Sequence, residues 1–259
     1  MIKFFRKIRQ RLLTENKFSK YLLYAIGEIV LVVIGILIAL QLNTWNNNRI
    51  NKDKEQVYLV GLKNDLENQI TAFNGRLQIF DSIIDKGEAI INEFTEIGKL
   101  TEIDSINDKL SYMMYALNYP EVNTTFNELN TTGQINLIQK KLIRSKIISY
   151  YQFSEDTKLG VTINMEHVFY NQIFPIIRSS IIINNEIFGF PSEKVNTELL
   201  NNRLNSTFEN KLKDPTKEFE IINAVSLRVI ETKTNSGYIT NAKYVAEALL
   251  KDIKEELKN

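Results

Sequence analysis

One stretch of the sequence limits what this chain can be more than any other. Residues 21–42, YLLYAIGEIVLVVIGILIALQL, are apolar on every helical face apart from the carboxylate of Glu28. A helix needs roughly 20 such residues to cross the hydrocarbon core of a bilayer. The core helix of a soluble protein rarely stays apolar all round for so long. The stretch therefore predicts a single transmembrane helix.

The charges on either side of this stretch predict its orientation. Basic residues dominate positions 1–20, where the only acid is Glu15, whereas bases and acids alternate after the stretch. The more basic flank of a transmembrane helix stays in the cytoplasm. Since no small-x-small cleavage site follows, we expect a retained signal anchor. In a bacterium this predicts an inner-membrane protein with a cytoplasmic N-terminus and a periplasmic C-terminal domain.

The first 20 residues are interpreted as a cytoplasmic basic amphipathic segment. A helix here would place its apolar side chains on one stripe and its bases elsewhere, as in helices that lie in the headgroup layer. Membrane lipid is then the expected partner of the bases. Alternatively, the segment is a basic tail that serves only as a topology signal. The membrane-surface bases in question are Lys3, Arg6, Lys7, Arg9 and Arg11.

Glu28 predicts that one face of the transmembrane helix packs against another helix. Ala25, Val32, Gly35 and Ala39 all lie within about 60° of Glu28 around a helix. Small residues allow close approach of a second helix, and a charge in hydrocarbon needs a partner or a proton. We therefore expect either a homo-oligomer, with protonated carboxyls hydrogen-bonded between copies, or a multi-span membrane partner that carries a base.

Glu28 also leaves a second functional reading open. A single helix with one carboxylate, followed by a periplasmic domain, is similar in layout to the stator subunits of ion-driven envelope motors. Glu28 would then carry a proton. The plainer alternative is that Glu28 stabilises the contact between helices without moving any ion.

The rest of the chain predicts an all-α fold. Residues 43–98 are expected to form one long helix that leaves the membrane, because apolar residues recur at helical spacing and no proline interrupts them. Gly87 stands where one apolar residue of this stripe is missing. The stripe is expected to pack within the chain, although an intermolecular coiled coil is the alternative.

Residues 99–259 should complete a helical bundle of four or five helices. Helices are expected over residues 104–117, 124–129, 142–174 and 215–257, and residues 181–192 read as a loop. Asp214 and Pro215 are typical of a helix N-cap and first turn. The tight turn at Thr132 and Gly133 is a candidate surface for a ligand or partner. Alternatively, Gly133 only permits a positive φ between two helices.

The sequence contains little that points to catalysis. Cysteine is absent, and the single histidine, His167, cannot by itself form a multi-histidine metal site. No nucleotide or hydrolase motif occurs, so no cofactor is expected. Lysine and arginine number 32 against 31 acids, which argues against nucleic acid as a partner. The carboxylates are expected on solvent faces, and a periplasmic enzyme remains an unsupported alternative.

Two blocks of the sequence resemble an uncharacterised family of single-pass Bacteroidota membrane proteins. The first is RKIRQRLLTENKFSKYLLYAIGEIVLVVIGILIALQLNTWNNNR, and the second is TFNELNTTGQINLIQKKLIRSKIISYY. The resemblance covers most of the chain and implies the same compartment and architecture, but no activity. The leading hypothesis is therefore a membrane-anchored periplasmic helical protein that binds or scaffolds partners.

Overall fold

The computed structural model describes residues 18–183, 189–190 and 194–258. Every regular element in these ranges is helical, which confirms the all-α prediction. The chain divides into two compact units, Met1–Val57 and Tyr58–Asn259. We call them the N-terminal unit and the helical domain.

The first helix, α1, is Phe18–Ile97 and passes through both units. In the N-terminal unit the large apolar side chains that the structure describes are exposed, from Leu22 to Val57. Among the described residues, none of the most apolar stretch of α1 is buried. The helix is long and apolar enough to cross a membrane. Gly98 ends α1 with a φ of +76°, and its N–H donates to the carbonyl of Phe94 over 2.8 Å. This is the usual glycine C-cap.

The helical domain continues from the second half of α1. Its further elements are α2 (Ile106–Tyr112), α3 (Thr124–Thr131), α4 (Lys141–Ile163), a π-helical segment (Asn164–Ile173), α5 (Phe174–Ser179), α6 (Thr197–Leu212) and α7 (Pro215–Glu256). Short 3-10 turns occur at Leu100–Glu102 and Gln134–Leu137. Four long helical stretches therefore form the bundle, joined by shorter elements.

The stripe of α1 in the helical domain is buried within the chain. Its residues recur at intervals of three and four, as expected of one helix side that faces the core. They join two apolar clusters, which also contain residues of α4 and α7. The stripe is therefore covered by the domain itself, as the packing prediction required. Its buried apolar residues are Leu59, Leu62, Leu66, Phe73, Phe80, Ile83 and Ile90, and the polar Asp65 and Gln69 are buried on the same helix.

Gly87 marks the place where α1 and α7 come closest to steric conflict. A Cβ built on Gly87 would lie 2.5 Å from a γ-methyl carbon of Val229 on α7. No side chain fits there without displacement of its neighbour. The gap in the apolar stripe is thus a packing requirement of the domain.

The start of α7 is confirmed in detail. The side chain of Asp214 accepts a hydrogen bond of 2.8 Å from the backbone N–H of Thr216, and Pro215 is the first helical residue. Asp214 supplies an acceptor for an otherwise unpaired N–H, while proline needs none at this position.

Two expected helices differ from the structure. The helix expected over residues 104–117 is only Ile106–Tyr112. The one expected over residues 142–174 changes from α to π at Asn164 and returns to α at Phe174. Pro175 follows directly, and its missing N–H removes one bond of the α-helical ladder. Of the expected loop at 181–192, residues 184–188 and 191–192 lie outside the described ranges.

Candidate functional sites

The packing face is the side of α1 formed by Ala25, Glu28, Val32, Gly35 and Ala39. Ala25 and Glu28 are half-buried, and the other three are exposed. A Cβ built on Gly35 would meet no neighbouring heavy atom within 4 Å, other than the backbone of its own helix turn. Among the residues that the structure describes, none covers the face at Gly35, and another helix can approach it closely. That it packs against a partner stays a prediction.

The basic residues proposed to contact lipid lie outside the described part of the chain. Lys3, Arg6, Lys7, Arg9 and Arg11 all precede residue 18, where the structural description begins. Their role stays a prediction from the sequence.

The turn at Thr132 and Gly133 connects α3 to a 3-10 turn. Gly133 has a φ of +66°, a value that favours glycine, and the Thr132 hydroxyl donates to the carbonyl of Glu128 over 2.7 Å. Both residues are exposed. Beside them, the hydroxyl of Tyr58 lies 3.0 Å from a carboxylate oxygen of Glu128 and 2.9 Å from the side-chain oxygen of Gln134. The turn thus has the positive φ expected of a helix joint, and its role in binding stays a prediction.

A pair of polar residues on α1 holds the connection between α2 and α3. The side-chain amide of Gln69 donates to the carbonyl of Pro120 and accepts from the N–H of Val122, and each hydrogen bond is 2.6 Å long. One turn earlier, a carboxylate oxygen of Asp65 accepts from the N–H of Thr125 over 2.6 Å. Both side chains are almost fully buried. We call this arrangement the Asp65–Gln69 clamp. It satisfies backbone groups that no helix ladder serves.

A pocket of about 400 Å³ lies where this connection meets α4 and the π segment. Lys158 at its edge forms a 2.7 Å ion pair with Glu121, and this contact raises the pKa of the lysine. Protein π segments often occur at functional sites. The lining offers donors, acceptors and an exposed aromatic ring, which suits a polar group of a ligand or partner. The lining residues are Asn118, Tyr119, Lys158, Thr162, Met165, Glu166 and Tyr170.

A buried polar network in the middle of α7 was missed by the sequence reasoning. Arg228 and Glu231 form an ion pair with both side chains almost completely buried, and Asn235 donates to the same carboxylate. Arg228 also donates to the carbonyl of Tyr115, and its guanidinium lies 4.4 Å from the ring centroid of Phe169. The network joins α7 to the segment that follows α2 and to the π segment.

Burial acts on both members of this ion pair. It lowers the pKa of Arg228 and raises the pKa of Glu231, while their mutual attraction opposes both changes. The expectation that the carboxylates lie on solvent faces is therefore wrong for Glu231. A signal was present, since residues 228, 231 and 235 keep the three-and-four spacing of the buried side of α7.

His167 is exposed, and its backbone carbonyl accepts from the side chain of Gln172. Within the described ranges, no group of three or more histidine or acidic side chains is placed to hold a metal ion.

Comparison with known proteins gives one family and no individual relative. No curated protein and no solved structure matches the chain. A family model described as a family of unknown function, DUF6090, matches residues 28–160. The match begins at Glu28 of the packing face, includes the Asp65–Gln69 clamp and the Gly133 turn, and ends in α4. Because it covers more than half of the 259 residues, the chain belongs to DUF6090, a family of unknown function.

Proposed function

We propose that this protein is a membrane-anchored helical protein that binds or scaffolds a partner, and that it assembles through the packing face around Glu28. The observation that supports this most directly is the opening at Gly35. Small, uncovered residues on the same side as an intramembrane carboxylate let a second helix approach closely. We further propose a cytoplasmic N-terminus and a periplasmic helical domain, from the charge asymmetry around the span.

The assembly is tested by enlarging one glycine at a time. Gly35 lies on the packing face, whereas Gly27 lies about 100° away from Glu28. A Cβ on either glycine meets no neighbouring atom, so neither variant should disturb the single chain. Gly35→Leu should lower the amount of partner that is crosslinked or copurified by about tenfold, equivalent to roughly 1.4 kcal/mol of binding free energy. Gly27→Leu should leave it unchanged. Equal effects of the two variants would contradict the proposed face.

Replacement of Glu28 separates the proposed roles of its carboxyl. Glu28→Gln keeps hydrogen bonding but cannot carry a proton, and Glu28→Leu removes both properties. For a scaffold, the glutamine variant should assemble like the parent and the leucine variant should assemble less well. If both variants assemble like the parent, the packing role of Glu28 is wrong. A proton-carrying subunit would instead assemble normally with glutamine and lose its membrane activity.

The proposed orientation has its own test. Alkaline phosphatase fused after residue 259 is active only outside the cytoplasm, so high activity is expected. An inactive fusion that is stable in the membrane fraction would reverse the proposed orientation.

A further inference from the structure

The packing face continues along α1 beyond the predicted span. Eleven residues of a helix rotate by about 20° more than three full turns, so residues at this interval lie on nearly the same side. At this interval Glu28 is followed by Ala39 and then by Ile50. By the same interval Gly35 is followed by Asn46 and Val57. Ile50 and Val57 therefore lie on the same side of α1 as the packing face, and all of these residues belong to the N-terminal unit.

Ile50 and Val57 are two of the three exposed large apolar residues in an otherwise polar stretch. Ile50 is 41% exposed and Val57 is 70% exposed. In residues 43–57, NTWNNNRINKDKEQV, the remaining large apolar side chain is Trp45. The indole of Trp45 points to another side, about 100° from Glu28, and suits the membrane interface. Ile50 and Val57 have no such explanation within one copy.

We propose that a second copy of the same helix covers Ile50 and Val57, so that two parallel α1 helices are in contact from Glu28 to Val57. This inference rests on the proposed assembly through the packing face and names its partner. Copies inserted in the same direction hold identical residues at the same depth. Ile50 then meets Ile50, and Val57 meets Val57. Asn46 meets Asn46, whose amide can both donate and accept, and a buried asparagine of this kind sets the register of paired helices.

A multi-span partner accounts for these residues less well. Such a protein can cover the packing face inside the bilayer, but Ile50 and Val57 come 8 and 15 residues after Leu42, the end of the apolar stretch. Asp53 is the one acidic residue on the continued face, and in a parallel pair it lies close to Asp53 of the second copy. Arg49, one turn before it on a neighbouring position, offsets part of this like-charge repulsion.

The contact inside the membrane and its continuation beyond the span favour the same handedness of helix packing. An eleven-residue repeat corresponds to about 3.67 residues per turn and favours right-handed winding of paired helices. The small pair Gly35 and Ala39 favours the same right-handed crossing inside the membrane. The two parts of the contact therefore favour the same handedness.

The absence of cysteine from the chain makes a direct test possible. Single cysteines are introduced into the full-length protein in native membranes, and disulfides are formed with copper phenanthroline. Ile50→Cys and Val57→Cys are compared with Asn48→Cys and Lys52→Cys, two exposed positions on other sides of the helix. Asn48 lies about 160° from Ile50, and Lys52 lies about 140° from Val57. A disulfide needs Cα atoms roughly 4.4–6.8 Å apart, so the first two should crosslink at least about fivefold faster. The product should have twice the chain mass of 30.1 kDa.

Ala39→Cys, inside the span, reports the proposed assembly separately. If Ala39→Cys crosslinks but Ile50→Cys and Val57→Cys do not exceed their controls, the continued contact is wrong and the proposed assembly stands. If none of the three crosslinks, a paired helix is wrong altogether. Crosslinking at Ile50 and Val57 without Ala39, equal crosslinking of the controls, or a product of another mass would also overturn the continuous parallel pair.

Discussion

The side-chain amide of Asn164 donates a hydrogen bond of 2.8 Å to the amide oxygen of Asn235. It joins the first residue of the π segment to the buried middle of α7. Asn235 in turn donates to Glu231, which is paired with Arg228. A continuous series of polar contacts therefore crosses the apolar interior and connects segments distant in sequence. Each member depends on the others, because an unpaired polar group is costly at this depth.

Loss of one partner of the buried ion pair should cost more than loss of both. Glu231→Leu leaves the Arg228 guanidinium buried without its carboxylate, and should lower the free energy of unfolding by about 3–5 kcal/mol. The double variant Arg228→Met with Glu231→Leu replaces the pair with apolar groups and should be closer to the parent. Urea denaturation of the full-length protein in detergent measures both. If the double variant loses as much free energy of unfolding as Glu231→Leu and Arg228→Met lose separately when added together, the two residues do not act as a pair.

The Asp65–Gln69 clamp should stabilise the connection between α2 and α3 locally. Gln69→Ala leaves the Pro120 carbonyl and the Val122 N–H without their partner, which should cost about 1–3 kcal/mol. Hydrogen exchange at the Val122 amide should accelerate. Gln78→Ala, at an exposed position of the same helix, should change neither quantity. Unchanged exchange at Val122 in the Gln69 variant would show that the clamp contributes little.

Two glycines of α1 should respond to alanine in opposite directions. Gly87→Ala places a methyl group against Val229 and should destabilise the protein by about 1–3 kcal/mol. Gly75 has no neighbour within 4 Å of an added Cβ, so Gly75→Ala should gain up to about 1 kcal/mol from helix propensity. Thermal unfolding compares the two. Gly87→Ala should cost less in a Val229→Ala background, and an equal cost in the two backgrounds would contradict the steric explanation.

The buried hydroxyl of Tyr119 should cause the free energy of unfolding to fall at alkaline pH. Burial raises its pKa from 10.0 to about 12, and its hydroxyl lies 2.8 Å from that of Ser154. A phenol whose pKa is raised by folding contributes fully below pH 10, and this contribution is lost as pH rises from 10 towards 12. Relative to Tyr119→Phe, the parent should lose about 1 kcal/mol between about pH 8 and pH 11. Urea denaturation at the two pH values tests this, and parallel pH dependence of parent and variant would contradict it.

Much of the fold was predictable because it depends on local chemistry. The apolar stretch at residues 21–42, the N-cap at Asp214 and the positive φ of Gly133 each follow from a few neighbouring residues. Helical spacing likewise predicted which side of α1 is buried in the helical domain. The exact bounds of α2 and the change to π geometry at Asn164 were not predictable, since contacts with other elements decide them.

The candidate sites also have features that the sequence determines and features that only the tertiary structure decides. The sequence by itself determined an apolar helix with one carboxylate among small residues, because helix rotation alone places Glu28 beside Gly35 and Ala39. Only the tertiary structure decided that Glu231 is buried. Its spacing places it on the same side of α7 as Arg228 and Asn235, but whether that side can bury a charge depends on Tyr115 and Asn164, which bind Arg228 and Asn235 from far away along the chain. Burial of a charge is permitted only where folding brings its partners to it, and that proximity is a property of the whole bundle.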